Sequence, residues 1–374
     1  MITRRAPRIF VSAGEPSGDL HAAGVVRALR ARYPEGTIEA LGGPQMQAAG
    51  ATIRYPMEGL AAFGLVEVVT KLGAHLRLLR ALKADFRSGR YDLVILVDYP
   101  GFHVRVAEAA RAAGTKVLYY IAPQLWAWRP GRARRFASAV DRLAVVLPFE
   151  QRFFGELGLR SDYVGHPLVD REGWPTRAEA RARLGLPPDA RVLGLFPGSR
   201  SQEVRRLWAP FRDAARRMLD EGRCDRVIVA GTPGGEYPDP GPLEISVGDP
   251  LPVFAAADAA LAKSGTTTLE AALAGVPMVV AYKVHHLTWL MFQRLRTVRW
   301  VSLVNLVAER EVVPEMLQDQ AEARPLAEAL RPLLDPRDPR TLAQREGLAL
   351  VRERLGAPGA TTRVVALADE LLGR

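Results

Sequence analysis

The chain has 374 residues, 48% hydrophobic and 25% charged, with a formal net charge of +10 and one cysteine, Cys224. That is more chain than one core of ~150 residues, so two folded domains are expected, and disorder, an intramolecular disulfide and a cysteine metal cluster are excluded. The charge points to a polyanionic partner, whether nucleic acid, acidic membrane or phosphorylated substrate, but no RNA-binding aromatic motif, zinc finger or basic zipper is present, so nucleic acid is not expected.

No stretch reaches the ~18 uninterrupted apolar residues of a membrane span, and the apolar run behind the basic start is too short for a signal core. A cytoplasmic protein, at most peripheral on a membrane, is the expectation. Arg8 to Ser12 reads as a first strand, followed by A-G-E-P-S-G-D and a helix through Arg32. A glycine turn after the first strand is where α/β domains present backbone to a ligand, so Gly14, Glu15, Ser17, Gly18 and Asp19 are candidate site residues. The alternative for Asp19 is a helix cap. The spacing is not G-x-G-x-x-G, so a nicotinamide cofactor is not expected. Residues 38 to 41 form another strand, leading into G-G-P-Q-M. The stretch 57 to 83 is apolar on most faces and basic toward its end, which suits either a core helix pair or a surface that enters lipid.

Tyr91 to Val97 is a continuous apolar run, as in a central parallel strand covered on both faces, and it ends in Asp98. A carboxylate at the carboxyl end of such a strand sits at the ligand edge of an open sheet, which makes Asp98 a catalytic candidate; capping or pairing with an arginine is the alternative. Lys116 to Ile121 is a further strand. It runs into A-P-Q-L-W-A-W-R, where Trp126 and Trp128 stand beside Arg129, Arg132, Arg134 and Arg135. These suit a headgroup layer, a phosphate clamp, or a packed loop with a basic rim. Arg142 to Leu147 is another strand, and Tyr163 to Val169 closes the half. His166 there is a site candidate or a structural hydrogen-bonding residue.

Pro, Gly and charge replace apolar periodicity from Glu172 to Arg191, so residues 172–189 read as a linker with a short helix. A second α/β run follows: Val192 to Phe196, Arg226 to Ala230, Leu243 to Val247, Ala259 to Ala262 and Val276 to Ala281. Phe196 precedes P-G-S-R, which puts Ser199 and Arg200 at a helix start. Ala262 precedes K-S-G-T-T-T-L-E, which puts Ser264, Gly265, Thr266, Thr267 and Thr268 at another, with Glu270 about one turn further in. Unpaired N–H groups and the helix dipole suit such starts to a phosphate. The stretch 284–307 mixes aromatics with Arg294, Arg296 and Arg299, as in an interfacial segment or a core helix with basic flanks. The last helix, Thr361 to Leu372, is expected to pack back on the first domain.

Nine motifs in order resemble the lipid-A-disaccharide synthase family. They are S-A-G-E-P-S-G-D at 12–19, G-G-P-Q-M at 42–46, V-D-Y-P-G-F at 97–102, A-P-Q-L-W-A-W-R at 122–129 and V-G-H-P at 164–167. P-G-S-R at 197–200, K-S-G-T-T-T-L-E at 263–270, P-M-V-V-A-Y-K at 277–283 and V-P-E-M-L-Q at 313–318 complete the set. One departure is Leu303, Val304, Asn305 where the family usually reads L-P-N.

The resemblance implies a glycosyltransferase of the GT-B type, with two Rossmann-like α/β domains and an interdomain cleft. The first would span 1–171 and be joined by the helix 355–374; the second would span 190–350. The implied reaction moves 2,3-diacylglucosamine from UDP to the 6-hydroxyl of 2,3-diacylglucosamine 1-phosphate, with inversion, at the cytoplasmic face of the inner membrane. Asp98 would be the general base. Ser199, Arg200, Lys263, the Ser264–Thr268 loop, Glu270 and Asn305 would hold the UDP-sugar. Gly14, Glu15, Ser17, Gly18, Asp19, Gln124, Trp126 and His166 would line the acceptor side. No D-x-D motif stands where a metal-dependent transferase needs one, so neither metal nor cofactor is expected. A homodimer is compatible with the sequence. The alternatives are another UDP-sugar transferase, a UDP-sugar epimerase on the same fold, or a non-catalytic nucleotide-sugar or lipid-binding protein.

Overall fold

The computed structural model describes residues 5–58, 65–128 and 130–374, with backbone alone at residues 65–71, 128, 130 and 287. The chain divides into two compact units: unit 1 is Met1–Asp170 with Ala357–Arg374, and unit 2 is Arg171–Gly356.

Among the described residues, unit 1 is built on seven strands: β1 (Arg8–Ala13), β2 (Thr37–Gly42), β3 (Thr52–Pro56), β4 (Leu93–Val97), β5 (Lys116–Tyr120), β6 (Arg142–Val145) and β7 (Ser161–Tyr163). All pair in parallel, in the order β3-β2-β1-β4-β5-β6-β7. A parallel sheet needs a crossover between neighbours, and the helices that provide it cover both faces. That is why Ile9, Phe10 and Val11 of β1 and every residue of β4 are fully buried. The C-terminal helix, Ala360–Leu371, returns to this unit as the sequence suggests. Arg32 Nε donates to Asp369 at 2.9 Å, Arg142 pairs with Glu370 at 3.0 Å, and the Gly359 N–H donates to Asp170 at 2.6 Å.

Unit 2 carries six strands: β8 (Val192–Phe196), β9 (Arg226–Gly231), β10 (Glu244–Val247), β11 (Ala259–Lys263), β12 (Met278–Tyr282) and β13 (Glu315–Leu317). They too are all parallel, ordered β10-β9-β8-β11-β12-β13. Each sheet reverses its direction of growth beside its first strand, between β1 and β4 and between β8 and β11. In open α/β sheets that reversal opens a crevice at the carboxyl ends of the two strands.

The structure revises two expectations. Residues 172–189 are part of unit 2 rather than a separate linker. Their helix, Arg177–Arg183, is fastened by Arg177 and Arg181, both of which pair with Asp258. Within 57–83, residues 65–83 belong to a single helix, Leu65–Arg87, which buries Leu82 and Phe86 and leaves Leu72 and Leu76 exposed; residues 59–64 lie outside the described residues. No helix among the described residues is long and apolar enough to cross a membrane.

Candidate active site

In unit 1 the register pairs Ala13 with Val97, so the loops after β1 and β4 leave the sheet side by side. Gly14 and Glu15 follow β1; Asp98 and Tyr99 follow β4. Asp98 and Tyr99 both adopt left-handed backbone, with φ of 49° and 54°. Non-glycine residues do this at a cost of ~1–2 kcal/mol each, and such strain concentrates at functional sites. The Asp98 N–H donates to the Tyr120 carbonyl at 3.0 Å. The Asp98 carbonyl accepts from the Tyr119 hydroxyl and from His103 Nδ1, each at 2.6 Å. Tyr99 lays its ring over Gly14 and meets His75 Nε2 at 2.7 Å through its hydroxyl. Burial, then the nearby Glu15, pushes the Tyr99 phenol up.

The other unit 1 candidates divide sharply. Glu15 is half-buried, while Ser17 and Gln124 are exposed. Gly18 is buried where an added Cβ would sit 3.3 Å from Ala13, which brings its helix close to the sheet. Asp19 is a cap, but not of its own helix. Its carboxylate accepts the N–H groups of Gly43, Gln45 and Met46 at 2.9, 3.0 and 3.3 Å, at the start of the Pro44–Ala48 helix. Trp126 is packed, and its indole N–H donates to Glu150 at 2.9 Å, so the headgroup and phosphate-clamp readings do not hold for it. Glu150 also accepts from Val146 and Leu147, and burial pushes it up to about 7 against those three donors. Arg132 and Arg134 form an exposed rim, and Arg135 pairs with Glu108. Arg129 and the Trp128 side chain lie outside the described residues. His166 is buried and accepts from the Leu168 N–H at 3.2 Å; burial, with His21 beside it, pushes it down to about 3. Its Nδ1 thus serves its own turn.

Unit 2 repeats the design with different chemistry. Phe196 pairs with Ala262, so the loops Pro197 to Arg200 and Ser264 to Thr268 also emerge side by side. Ser199 and Arg200 are exposed at the start of the Ser201–Asp220 helix. Thr266 is exposed, and Gly265 and Thr267 are half-buried, at the start of the Thr266–Ala274 helix, whose first-turn N–H groups have no helical acceptors. The hydroxyls of Ser264 and Thr268 face inward, donating to the carbonyls of Val301 at 3.0 Å and Gly265 at 2.8 Å. They shape the loop from within.

Sequence reading missed Glu203, which joins the two loops. Its carboxylate accepts the Ser199 N–H at 3.2 Å, pairs with Lys263 at 2.8 Å and lies 3.9 Å from Arg200. Gly198 makes room for it, since a Cβ there would fall 2.6 Å from that of Glu203. The available signal was an acid in the first turn behind P-G-S-R.

Glu270 stands one turn into its helix, bonded to Arg171 at 2.8 Å, and the same guanidinium reaches Asp249 at 2.8 Å. Burial pushes the Glu270 carboxyl up while Arg171 opposes it. Asn305 differs from expectation. Its oxygen accepts from Val312 and Val313 at 2.7 and 2.9 Å, and its amide donates to the Val313 carbonyl and Glu315, both at 2.9 Å. Two donor hydrogens and two acceptor lone pairs exhaust an asparagine, so Asn305 holds its own loop and not a ligand. Val304, at the usual proline position, donates its N–H to the Ser302 hydroxyl at 3.2 Å. A proline has no such hydrogen, so a side-chain cap fixes this turn instead. No cluster of His, Cys, Asp or Glu among the described residues could hold a metal ion.

Two parallel sheets, each with paired loops at its reversal point, define a two-Rossmann α/β protein of the GT-B class. Solved structures share this fold. A putative UDP-N-acetylglucosamine 2-epimerase from Listeria monocytogenes matches with TM-score 0.68 at 12% identity, covering 98% of this chain and 96% of its own. The glycotransferase of kitacinnamycin matches with TM-score 0.66 at 18% identity, covering 98% and 100%. The family is narrower. A family profile described as Lipid-A-disaccharide synthetase matches residues 9–231 and 243–355. Lipid-A-disaccharide synthases from Geobacter metallireducens and Myxococcus xanthus are 41% and 40% identical, each over 98% of both chains. That of Pseudomonas aeruginosa is 41% identical over 88% of this chain and 89% of its own. The chain belongs to the lipid-A-disaccharide synthase family, and is a glycosyltransferase of lipid A biosynthesis.

Proposed function

We propose that this protein transfers 2,3-diacylglucosamine from UDP to the 6-hydroxyl of 2,3-diacylglucosamine 1-phosphate, giving a β-1,6 disaccharide and UDP. The observation that carries the reading is the pair of anion-suited loops at the reversal point of the unit 2 sheet, in a chain of this family. Arg200, Lys263 and the first-turn N–H groups of the Thr266–Ala274 helix meet the donor diphosphate. They stabilise the charge that grows on it as the bond to the sugar breaks, work that a metal does in other transferases. Lys263 exchanges Glu203 for phosphate oxygen in that step. Glu270, held by Arg171, faces the ribose hydroxyls. In unit 1, Asp98 takes the proton of the acceptor hydroxyl as its oxygen attacks the anomeric carbon, a single displacement with inversion.

The acyl chains of both substrates place this work at the inner membrane's cytoplasmic face, and the exposed apolar residues suit that setting. Leu72 and Leu76 on one helix of unit 1, and Leu290, Met291 and Leu295 on the His286–Leu295 helix of unit 2, stand open to solvent. No Asp or Glu occurs between Lys283 and Glu309, while Arg294, Arg296 and Arg299 do, a pattern that attracts anionic headgroups. Co-sedimentation with anionic-lipid vesicles should weaken with salt and with Leu290→Ser plus Met291→Ser; no binding at low salt would remove the membrane part.

Incubation with UDP-2,3-diacylglucosamine and the acceptor tests the reaction. Disaccharide plus UDP is the expected result. An altered free sugar would identify an epimerase, and unchanged substrates a binding protein.

A further inference from the structure

The left-handed turn at Asp98 needs something to hold it, and the surroundings show what does. A carbonyl oxygen only accepts, so His103 must carry its proton on Nδ1 to meet the Asp98 carbonyl at 2.6 Å. Its Nε2 is then the acceptor and takes the Ser12 hydroxyl proton at 2.8 Å. Tyr119 fills the carbonyl's second lone pair at 2.6 Å. Ser12, His103 and Tyr119 are each fully buried, on β1, the Pro100–Ala112 helix and β5. Burial pushes His103 down to about 4, in keeping with a neutral, singly protonated ring. At this depth the three donors, Ser12 Oγ–H, His103 Nδ1–H and Tyr119 O–H, each have one acceptor within reach, and removing a partner strands a buried group.

We propose that Ser12, His103 and Tyr119 are positioning residues for the general base. His103 and Tyr119 saturate the Asp98 carbonyl, and Ser12 fixes the His103 ring, so that together they hold the strained turn that presents the Asp98 carboxylate at the end of β4. None of the three touches substrate; they act through Asp98. This inference rests on the reading of Asp98 as base.

Paired isosteres test it. The amide of Asn overlies histidine Nδ1 and that of Gln overlies Nε2, so His103→Asn keeps the donor to Asp98 while His103→Gln serves Ser12 alone. With His103→Gln and Tyr119→Phe, kcat should fall ~10- to 100-fold while KM for both substrates stays within about twofold, as expected of a displaced catalytic group. His103→Asn should keep kcat within about threefold of the parent, because the hydrogen bond survives. In an Asp98→Ala background, His103→Gln should change the residual rate by less than about twofold, since the two act through one group. Should His103→Gln fail to fold, Tyr119→Phe, which deletes one oxygen, carries the same comparison.

The proposal is overturned if His103→Gln and Tyr119→Phe turn over normally while Asp98→Ala is disabled. It is equally overturned if His103→Asn is as damaged as His103→Gln, or if the loss persists in the Asp98→Ala background. Near-normal turnover by Asp98→Ala would instead remove the base assignment and the positioning role with it.

Discussion

Gly14→Ala is the sharpest probe of how the Asp98 turn is built. A Cβ added at Gly14 would lie 2.3, 2.5 and 2.6 Å from three carbons of the Tyr99 ring. Ordinary carbon contact is ~3.5 Å, so the ring must retreat by about 1 Å. It has little freedom to do so: its hydroxyl meets His75 at 2.7 Å, and its backbone holds φ at 54° next to Asp98. The displacement therefore passes to the turn. Overpacking of this kind destabilises by ~1–3 kcal/mol, whereas a 1 Å misplacement of a reacting group costs ~100-fold in rate. The variant should lose about two orders of magnitude in kcat, lose only a few degrees in melting temperature, and bind UDP as before. Steady-state kinetics, thermal unfolding and UDP calorimetry read these separately. A kcat within about twofold of the parent would refute the claim that Gly14 and Tyr99 hold the base in place.

Asp98→Ala should cut turnover by ~100-fold or more with UDP binding intact. Near-normal turnover would move the base to Glu15 or His166, because both oxygens of Asp19 are already committed to backbone N–H groups. Exhaustive EDTA treatment should leave turnover unchanged, and a loss restored by a divalent ion would sink the metal-independent reading. Acid should destabilise unit 1. His21, His103 and His166 have folded pKa values of about 4, 4 and 3, below the usual 6.5, so the unfolded chain takes up more protons as pH falls through 6.5. Their stabilisation is present above pH 6.5 and is lost toward pH 3–4, by up to ~2 kcal/mol each at pH 5. Glu150, raised to about 7, works the other way: its contribution is present below its ordinary 4.5 and is lost as pH rises to 7. Three groups against one leave a net fall of roughly 3 kcal/mol from pH 7 to 5, measurable by urea denaturation, and a flat profile would contradict it.

Much of the architecture was legible in the chain. Continuous apolar runs separated by helical stretches implied two parallel sheets. The loops at Asp98, at Pro197 to Arg200 and at Ser264 to Thr268 could be placed because each directly follows a buried strand. Short strands escaped: β3 alternates half-buried with exposed residues, and β13 has three residues, so neither forms a buried run.

Side-chain roles were far less legible. Asp19, Trp126, His166 and Asn305 have the composition of site residues, yet each commits polar atoms to scaffold partners. In three of these four, the partners include backbone groups that the one-letter code does not display. Glu203 shows the reverse, an unremarked first-turn acid that bridges two loops about sixty residues apart in sequence.

The sequence by itself determined the periodicity, hence the parallel sheets, and which residues stand at strand ends, because both follow from local order along the chain. The tertiary structure decided which of those residues remain available. A buried donor or acceptor must find a partner wherever the fold brings one. His103 and Tyr119 meet at the Asp98 carbonyl, with Ser12 behind His103, only because β1, β4 and β5 lie side by side.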